Sequence, residues 1–358
     1  MKDVGLVLDE STAPPHDSCT FLVSKKSSFQ QGAGKPLNIL ITGSSGQIGT
    51  NLGLKLQSLG HSVLGIDTRP NTWTNQIETR IVDMTTDCVG RLLELIRGFQ
   101  IDLIVHLAAH AKVFALVREP SRALENVEMT FRAAESARLA NIPIIFGSSR
   151  EVYGDIHRQL TDEASADFVV AESPYSASKI SGEAFIYSYA QCYGLRYIVF
   201  RFSNVYGRFD NDLERMERVT PLFIDKIRRG EPITIFGKEK ILDFTYVEDC
   251  VDGIFLGIEK LLSGEVSNQT INLACGEGNS LGMLADLIAK AVGVKPNITF
   301  EPTQAGEVTR YIADIRKARE LLGYSPRTPL AEGIPRAVAW QQEFETECRQ
   351  RIHPSIPQ

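Results

Sequence analysis

Two ionisable side chains, four residues apart, have the types needed for proton transfer. Tyr175 and Lys179 begin and end the segment Tyr-Ser-Ala-Ser-Lys, and on a helix this spacing places them on one face. A free tyrosine has a pKa of about 10, so a phenolate acting near neutrality needs a depression of about 3 units, or roughly 4 kcal/mol. The Lys179 ammonium would favour the phenolate. The same pair could form a solvated helix face, so the elements around it decide between these interpretations.

A glycine-rich turn provides the wider context for this pair. Gly43, Gly46 and Gly49 follow an apolar run over residues 37 to 42 and precede a helical pattern over residues 50 to 59. In a dinucleotide-binding turn, the first glycine permits a tight bend and the second lets the backbone approach a pyrophosphate. The third lets the helix pack closely on the strand. The N-terminus of that helix then directs its positive dipole end at the phosphates.

An acidic residue after the second apolar run indicates which dinucleotide is bound. That run ends at Asp67, about 20 residues beyond the turn, where such folds place an acid for the adenosine ribose. A carboxylate repels a 2′-phosphate, so the sequence predicts NAD rather than NADP. The positive nicotinamide ring of NAD would also favour the Tyr175 phenolate.

The turn and the Tyr/Lys pair together resemble the extended short-chain dehydrogenase/reductase family, in particular its nucleotide-sugar epimerases, dehydratases and decarboxylases. The resemblance covers about residues 37 to 340. Further segments match the family in this order: Asp83-Met84, His106 to Ala109, Asn126-Val127, Ser148-Ser149, Val152 to Gly154, Arg201 to Gly207 and Asp243 to Asp249.

The resemblance implies a role for each residue at the reacting centre. Tyr175 would be the general base that takes the proton from a sugar hydroxyl, while the hydride passes from that carbon to NAD. Lys179 would hold the nicotinamide ribose and tune Tyr175. Ser149 occupies the Ser/Thr position that shares a hydrogen bond with the reacting oxygen, and Glu151 is the fourth catalytic candidate.

The resemblance also implies binding residues. Asn204 matches the contact to the nucleotide diphosphate, and Ser149, Arg150 and Arg310 complete the expected substrate-binding set. The residues expected to bind NAD are Gly43, Gly46, Gln47, Ile48, Gly49, Asp67, Asp83, Met84, Leu107, Ala108, Ala109, Asn126, Ser148, Tyr175, Lys179 and Phe202.

The residues after Ser149 bear on the reaction. Dehydratases of the family carry an Asp-Glu pair there, whereas this chain has Arg150-Glu151. Arginine stays protonated and cannot act as the acid, so the sequence disfavours 4,6-dehydration. Glu151 remains compatible with a decarboxylase, whose relatives carry a glutamate at this position. Arg150 could bind the carboxylate of such a substrate, or it could be an outward-facing arginine paired with Glu151.

Two positions depart from the family pattern. Leu242 stands where many members have an arginine that grips the diphosphate, and Gln304 replaces a second expected arginine. Lys238, Lys240 or Arg310 could supply the missing positive charge. Lys238 and Lys240 are each more typical of a surface charge, whereas Arg310 ends a Gly-Glu-Val-Thr-Arg stretch that resembles a substrate-binding segment of the family.

Composition limits the other classes of function. The 358-residue chain is 43% hydrophobic with a formal net charge of -6, which is unpromising for nucleic-acid binding. No apolar stretch approaches the roughly 20 residues of a membrane span, and residues 1 to 36 lack the pattern of a signal peptide. The six cysteines have no paired-ligand spacing, which favours reduced thiols in the cytoplasm and no metal site.

Alternating strand and helix signals predict an α/β fold. We expect a Rossmann-type doubly wound parallel sheet with a smaller mixed α/β C-terminal substrate lobe. The predicted divisions are a flexible N-terminal extension over residues 1–36, an NAD-binding domain over 37–204, a substrate lobe over 205–345 and a tail over 346–358. Segments near residues 243–275 are expected to return to the NAD-binding domain.

The sequence favours an NAD-dependent 4-epimerase of a UDP-hexose or UDP-hexuronic acid, working through a transient 4-keto sugar. The alternatives are a UDP-glucuronate decarboxylase and a catalytically silent NAD-bound sensor or scaffold. Because Tyr175, Lys179 and Ser149 are all present, the silent form is disfavoured. As in the resembled family, two long helices, Pro120 to Ala140 and Ser176 to Tyr193, are expected to pair across a two-fold axis in a homodimer.

Overall fold

The computed structural model describes residues 35–154, 163, 171–210, 218–303 and 308–352, with side chains described as far as residue 344. The strands within these ranges are β1 (Asn38–Thr42), β2 (Ser62–Asp67), β3 (Glu78–Ile81), β4 (Leu103–His106), β5 (Ile144–Ser149), β6 (Tyr197–Phe202), β7 (Asn204–Tyr206), β8 (Ile233–Phe236), β9 (Ile241–Tyr246), β10 (Gln269–Leu273), β11 (Gly278–Ser280) and β12 (Ile298–Glu301).

The helices alternate with these strands along most of the chain. They are α1 (Gln47–Ser58), α2 (Val89–Gly98), α3 (Val113–Arg118), α4 (Ser121–Ala140), α5 (Pro174–Tyr193), α6 (Val219–Arg228), α7 (Val247–Ser263), α8 (Leu281–Val292), α9 (Arg316–Leu322) and α10 (Leu330–Ile352), with a 3-10 turn at Arg150–Tyr153.

Seven strands in the described ranges form one parallel sheet in the order β10-β6-β5-β4-β1-β2-β3. The interior strands β1, β4, β5 and β6 are almost entirely buried, because helices cover both faces of the sheet. Side chains of α1, α7 and α9 fill the core on one face, and those of α2, α4 and α5 fill the core on the other. The predicted doubly wound parallel sheet is therefore confirmed.

Local sequence explains where α5 begins. Ser173 caps the helix by accepting from the Ser176 backbone N–H, the Ser176 hydroxyl accepts from the Ser173 N–H, and Pro174 occupies the first helical position. The helix thus starts before Ser176, the residue expected from the apolar spacing. Tyr175 consequently lies in the first turn, next to the end of β5.

The chain after β6 builds a smaller mixed lobe. Strand β9 pairs in parallel with β7 and antiparallel with β11, while β8 pairs with β12. Helices α6, α8 and α10 enclose its core. Strand β10 then joins the large sheet beside β6, and α7 packs on α1. The division at residue 204 remains a prediction, as do the roles of residues 1–34, which lie outside the described ranges.

None of the helices in the described ranges has the length and apolar character needed to cross a membrane. The described residues also contain no group of three or more His, Cys, Asp or Glu side chains arranged to hold a metal ion.

Candidate active site

The glycine turn lies where the strand order of the sheet reverses, between β1 and β4. Gly43 has a φ of +73°, and a Cβ on it would lie 2.8 Å from the backbone nitrogen of Ala108. A Cβ on Gly49 would lie 2.3 Å from the carbonyl oxygen of Gly43. Both glycines are therefore required by close backbone contacts, which bring the predicted residues Leu107 and Ala108 beside the turn. Crevices at such switch points are where open α/β sheets bind ligands.

The start of α1 has the features of an anion-binding site. Its first turn contains no acidic side chain, so the positive end of the helix dipole is not compensated there. The Ser44 hydroxyl within the turn is buried and has no hydrogen-bond partner. An uncompensated helix N-terminus and an unpartnered donor fit the pyrophosphate of a dinucleotide.

Asp67 ends β2 and holds the turn in place. One carboxylate oxygen accepts from the Ser45 backbone N–H at 3.0 Å, and the other accepts from the Arg69 backbone N–H at 3.3 Å. The Ser45 hydroxyl in turn donates to the Arg69 carbonyl. The carboxylate therefore lies at the turn, at the place where the sequence predicts the adenosine ribose.

Other residues predicted to bind the cofactor have partners within the protein. Gln47 donates to the Gly207 carbonyl at 3.1 Å. Asn126 accepts from the His110 backbone N–H and donates to the Ser178 hydroxyl, which ties α4 to α5. Asp83 accepts from Thr85. The other predicted residues lie at the following places: Met84 is buried in the segment after β3, Ile48 is half-buried on α1, Ala109 follows β4, and Phe202 ends β6.

The three residues expected at the reacting centre come together at the end of β5. Ser149 is the last residue of that strand and hydrogen-bonds with the Tyr175 hydroxyl. The Lys179 ammonium lies 5.9 Å from the centre of the Tyr175 ring and donates to the Gly147 carbonyl at 2.8 Å. The three side chains are buried, and their arrangement can hold and move one proton at the Tyr175 oxygen.

Burial dominates the acidity of both groups on α5. It raises the pKa of Tyr175 to about 12, although the hydrogen bond from Ser149 acts in the opposite direction. It lowers the pKa of Lys179 to about 8, with the nearby Glu183 carboxylate opposing that shift. The expected depression of the tyrosine pKa by Lys179 is not seen in the protein residues alone. Positive charge brought by NAD would lower the pKa of Tyr175 toward neutrality.

A buried ion pair fixes the face of α5 that carries these groups. Glu183 and Arg201 form two hydrogen bonds, of 2.9 and 2.6 Å, and both side chains are at most 5% exposed. Ser148 donates to the same carboxylate at 2.6 Å. Sequence reasoning assigned Ser148 to the cofactor and missed Glu183, although its position four residues after Lys179 on one helix face was a usable signal.

Arg150 and Glu151 lie beside the reacting centre rather than on the surface. Their side chains are 12% and 9% exposed and form an ion pair of 2.9 Å. The Glu151 charge raises the pKa of Tyr175, whereas the Arg150 charge lowers it. The possibility of an outward-facing Arg150 is therefore wrong, because the short 3-10 turn after β5 directs both side chains inward.

The predicted substrate residues of the smaller lobe have their own partners. Asn204 donates to the Asp243 carbonyl at 2.9 Å, and Arg310 bridges to Ile241 at the start of β9. Arg310 also lines an open cavity of about 490 Å³ together with Lys238 and Lys240. Lys240 is buried, which corrects its interpretation as a surface charge.

The structure describes one of the two positions that depart from the family pattern. Leu242 is buried in the core of the smaller lobe, so an apolar side chain suits that position. Gln304 lies outside the described residues.

Arg218 is a further charge near the centre that the sequence did not reveal. It donates to Gln47 at 2.9 Å and to Asp210 at 3.1 Å, and its charge lowers the pKa of Tyr175. The charged composition of residues 210–218 is typical of a solvated loop, but Asp210 is buried, and burial raises the pKa of its carboxyl. Residues 211–217 between them lie outside the described ranges.

Comparison with known families agrees with this geometry. A family model described as "NAD dependent epimerase/dehydratase family" matches residues 39–274. The chain belongs to this family. The predicted resemblance to nucleotide-sugar epimerases is thus confirmed, and NAD is the cofactor of the family.

Individual family members resemble the chain over most of its length. The UDP-glucose 4-epimerase of Mycolicibacterium smegmatis is 32% identical and aligns over 84% of this chain and 97% of its own. The crystal structure of a Thermotoga maritima UDP-glucose 4-epimerase with UDP-glucose is 29% identical, with a TM-score of 0.79 over 86% of this chain and 100% of that chain. A Bacillus cereus UDP-glucuronic acid 4-epimerase, in complex with UDP-glucuronic acid and NAD, is 25% identical with a TM-score of 0.76 over the same shares.

We predict that Gly49→Ala lowers the NAD content of the purified protein at least about tenfold. The added methyl would meet the Gly43 carbonyl at 2.3 Å and force the turn away from α1. NAD released by denaturation and measured by chromatography gives the content directly. Gly90→Ala is the matched control, since a Cβ on Gly90 meets nothing within 4 Å. Equal NAD content in both variants would contradict the assignment of the turn.

We also predict that Glu151→Gln moves the rising limb of the pH-rate profile to lower pH. The Glu151 carboxylate raises the pKa of Tyr175, so its neutral replacement lowers that pKa and lets the phenolate form in more acidic solution. The measurement is the kcat/KM for epimerisation across pH. Glu94→Gln, at an exposed ion pair on α2, should leave the profile in place. A shift of the profile to higher pH would contradict the effect of Glu151 on the pKa of Tyr175.

Proposed function

We propose that the protein is an NAD-dependent nucleotide-sugar 4-epimerase that acts on a UDP-hexose or a UDP-hexuronic acid. The observation that carries this proposal is the hydrogen-bonded pair of Ser149 and Tyr175 beside a buried Lys179, at the end of β5 in the same parallel sheet as the glycine turn after β1. The relatives named above, two of them UDP-glucose 4-epimerases and one a UDP-glucuronic acid 4-epimerase, support the same reaction class.

Ser149, Tyr175 and Lys179 each have a separate role in the proposed reaction. Ser149 holds the C4 oxygen of the sugar, and Tyr175 takes its proton and later returns it. Lys179, with a pKa of about 8, remains mostly an ammonium at neutral pH and would hold the nicotinamide ribose of the cofactor. The glycine turn, Asp67 and Lys179 would hold NAD, which would supply reversible hydride transfer at C4 of the sugar. The burial of Ser149, Tyr175 and Lys179 would limit the access of water to the keto sugar.

The ion pair beside the centre favours epimerisation over elimination or decarboxylation. Arg150 occupies the position at which a dehydratase needs an acid, and guanidinium groups do not release protons in proteins. It also holds an oxygen of Glu151 at 2.9 Å, so this carboxylate is neutralised by its neighbour. Neither of these two side chains is therefore available as a free acid or base for chemistry at C5 or C6.

A UDP-glucuronate decarboxylase is the second candidate. Glu151 lies buried two residues after Ser149, where it could act on a sugar carboxylate if the pair with Arg150 opened. This reaction would release carbon dioxide and a UDP-pentose. Glu151→Gln should abolish the gas while leaving epimerisation intact, so this variant separates the two functions.

We predict that the protein with NAD converts UDP-glucose or UDP-glucuronate to the galacto-configured epimer without gas. Sugar products are followed by NMR, and carbon dioxide is measured in parallel. Tyr175→Phe should lower kcat at least about 100-fold, because general acid-base groups contribute roughly 100- to 10,000-fold. Tyr193→Phe is the matched control, since its side chain is exposed on the last turn of α5.

Three results would count against this function. Gas with a pentose product would assign decarboxylation. Turnover of neither substrate would move the search to other nucleotide sugars. Full activity of Tyr175→Phe would overturn the mechanism for both enzymes.

We further propose a homodimer formed by α4 and α5. These helices pack side by side and expose apolar side chains, including Leu124 at 69%, Phe131 at 40% and Tyr187 at 58%. Exposed apolar groups on neighbouring helices are typical of a surface that a second copy covers.

We predict a dimer by light scattering at micromolar concentration. Leu124→Glu with Phe131→Glu should yield monomers, because two charges would be buried in the interface. Phe300→Glu, at an exposed position on β12, should not change the mass. A monomeric unmodified protein would remove the claim.

A further inference from the structure

Arg150 has one hydrogen-bonding edge in use and one edge without a partner. Its Nη2 binds the Glu151 carboxylate at 2.9 Å. Its Nη1 is buried and has no hydrogen-bond partner. A buried donor of this kind, on a charged group, is costly to leave unsatisfied. The free edge therefore indicates a bound acceptor.

The guanidinium is held in a defined orientation beside the reacting centre. It lies over the ring of Tyr311, with 5.7 Å between the guanidinium carbon and the ring centre, and that tyrosine is buried. The Tyr311 hydroxyl is also buried without a partner. Arg150 follows Ser149 directly, and its charge acts on the Tyr175 hydroxyl. The unused donors are thus close to the atoms that would hold the C4 oxygen.

We propose that the free edge of Arg150 binds the carboxylate at C6 of a UDP-hexuronate and makes the enzyme selective for uronates over hexoses. This inference rests on the proposed 4-epimerase function and names the substrate class. C6 is two bonds from C4 along the sugar, so its substituent projects next to the residue that follows Ser149.

The chemistry of the guanidinium favours a carboxylate over the hydroxyl of a hexose. Arginine has five donors, so Glu151 and a substrate carboxylate can be bound on different edges at the same time. Hydrogen bonds between charged partners are about twice as strong as neutral ones, and the low dielectric of a buried site strengthens them further. A neutral C6 hydroxyl can also accept hydrogen bonds, but it brings no charge.

The test measures binding separately from catalysis. In a Tyr175→Phe background with NAD bound, calorimetry gives the Kd of UDP-glucuronate and of UDP-glucose. We expect UDP-glucuronate to bind at least about tenfold more tightly. Adding Arg150→Ala should weaken UDP-glucuronate binding at least about tenfold and change the Kd of UDP-glucose less than about threefold. Arg91→Ala, at an exposed ion pair on α2, is the matched control and should change neither.

Kinetics on the active enzyme give a second readout, which distinguishes the role of Arg150 from the epimerase function on which it rests. Epimerisation should show a lower KM for UDP-glucuronate than for UDP-glucose, and Arg150→Lys should restore part of the preference that Arg150→Ala loses. Turnover of UDP-sugars with equal affinity for both, or equal weakening of both by Arg150→Ala, would overturn the role of Arg150 and leave the epimerase intact. Absence of any UDP-sugar turnover, by contrast, would be a failure of the proposed function.

Discussion

The buried ion pair between Glu183 and Arg201 is the interaction on which the candidate site depends. It joins α5 to β6, and through Ser148 it also joins the helix to β5. Removing one partner of such a pair typically costs about 3–5 kcal/mol, because the other charge is left uncompensated. The Glu183 carboxylate also opposes the fall in the pKa of Lys179 that burial causes. This pair thus holds α5 in position and favours the charged form of Lys179.

Burial of Tyr175 opposes formation of its phenolate, the form that the proposed mechanism requires. A tyrosine with a pKa of about 12 is a proton donor at neutral pH, and it becomes a base only where positive charge surrounds it. The protein supplies Arg150 and Arg218 at this centre, while Glu151 acts in the opposite sense. Each arginine is paired with a carboxylate, so its effect on the tyrosine is moderated. Bound NAD would add the positive charge of its nicotinamide ring, which would couple proton transfer to cofactor binding.

The parts of the site that define the family and the parts that define the substrate lie on different elements. The glycine turn and the Tyr/Lys pair depend on backbone geometry and helix spacing rather than on the identity of the sugar. Arg150 lies on the short turn after β5, where we propose that its side chain contacts the substituent at C6 of the sugar. Relatives therefore share the fold and the cofactor, whereas selectivity for the sugar depends on individual side chains at the site.

Sequence patterns predicted the parallel sheet, the glycine turn and the pairing of Tyr175 with Lys179, because each of these follows from local spacing or from runs of apolar residues. They could not predict that Arg150 faces inward, or that Arg218 reaches Gln47 across 171 positions of the chain. Those contacts depend on how distant segments pack, and packing also sets the burial that governs each pKa. The residue types and their spacing in the sequence thus indicate the chemistry, whereas the tertiary structure determines which charged groups surround the reacting centre.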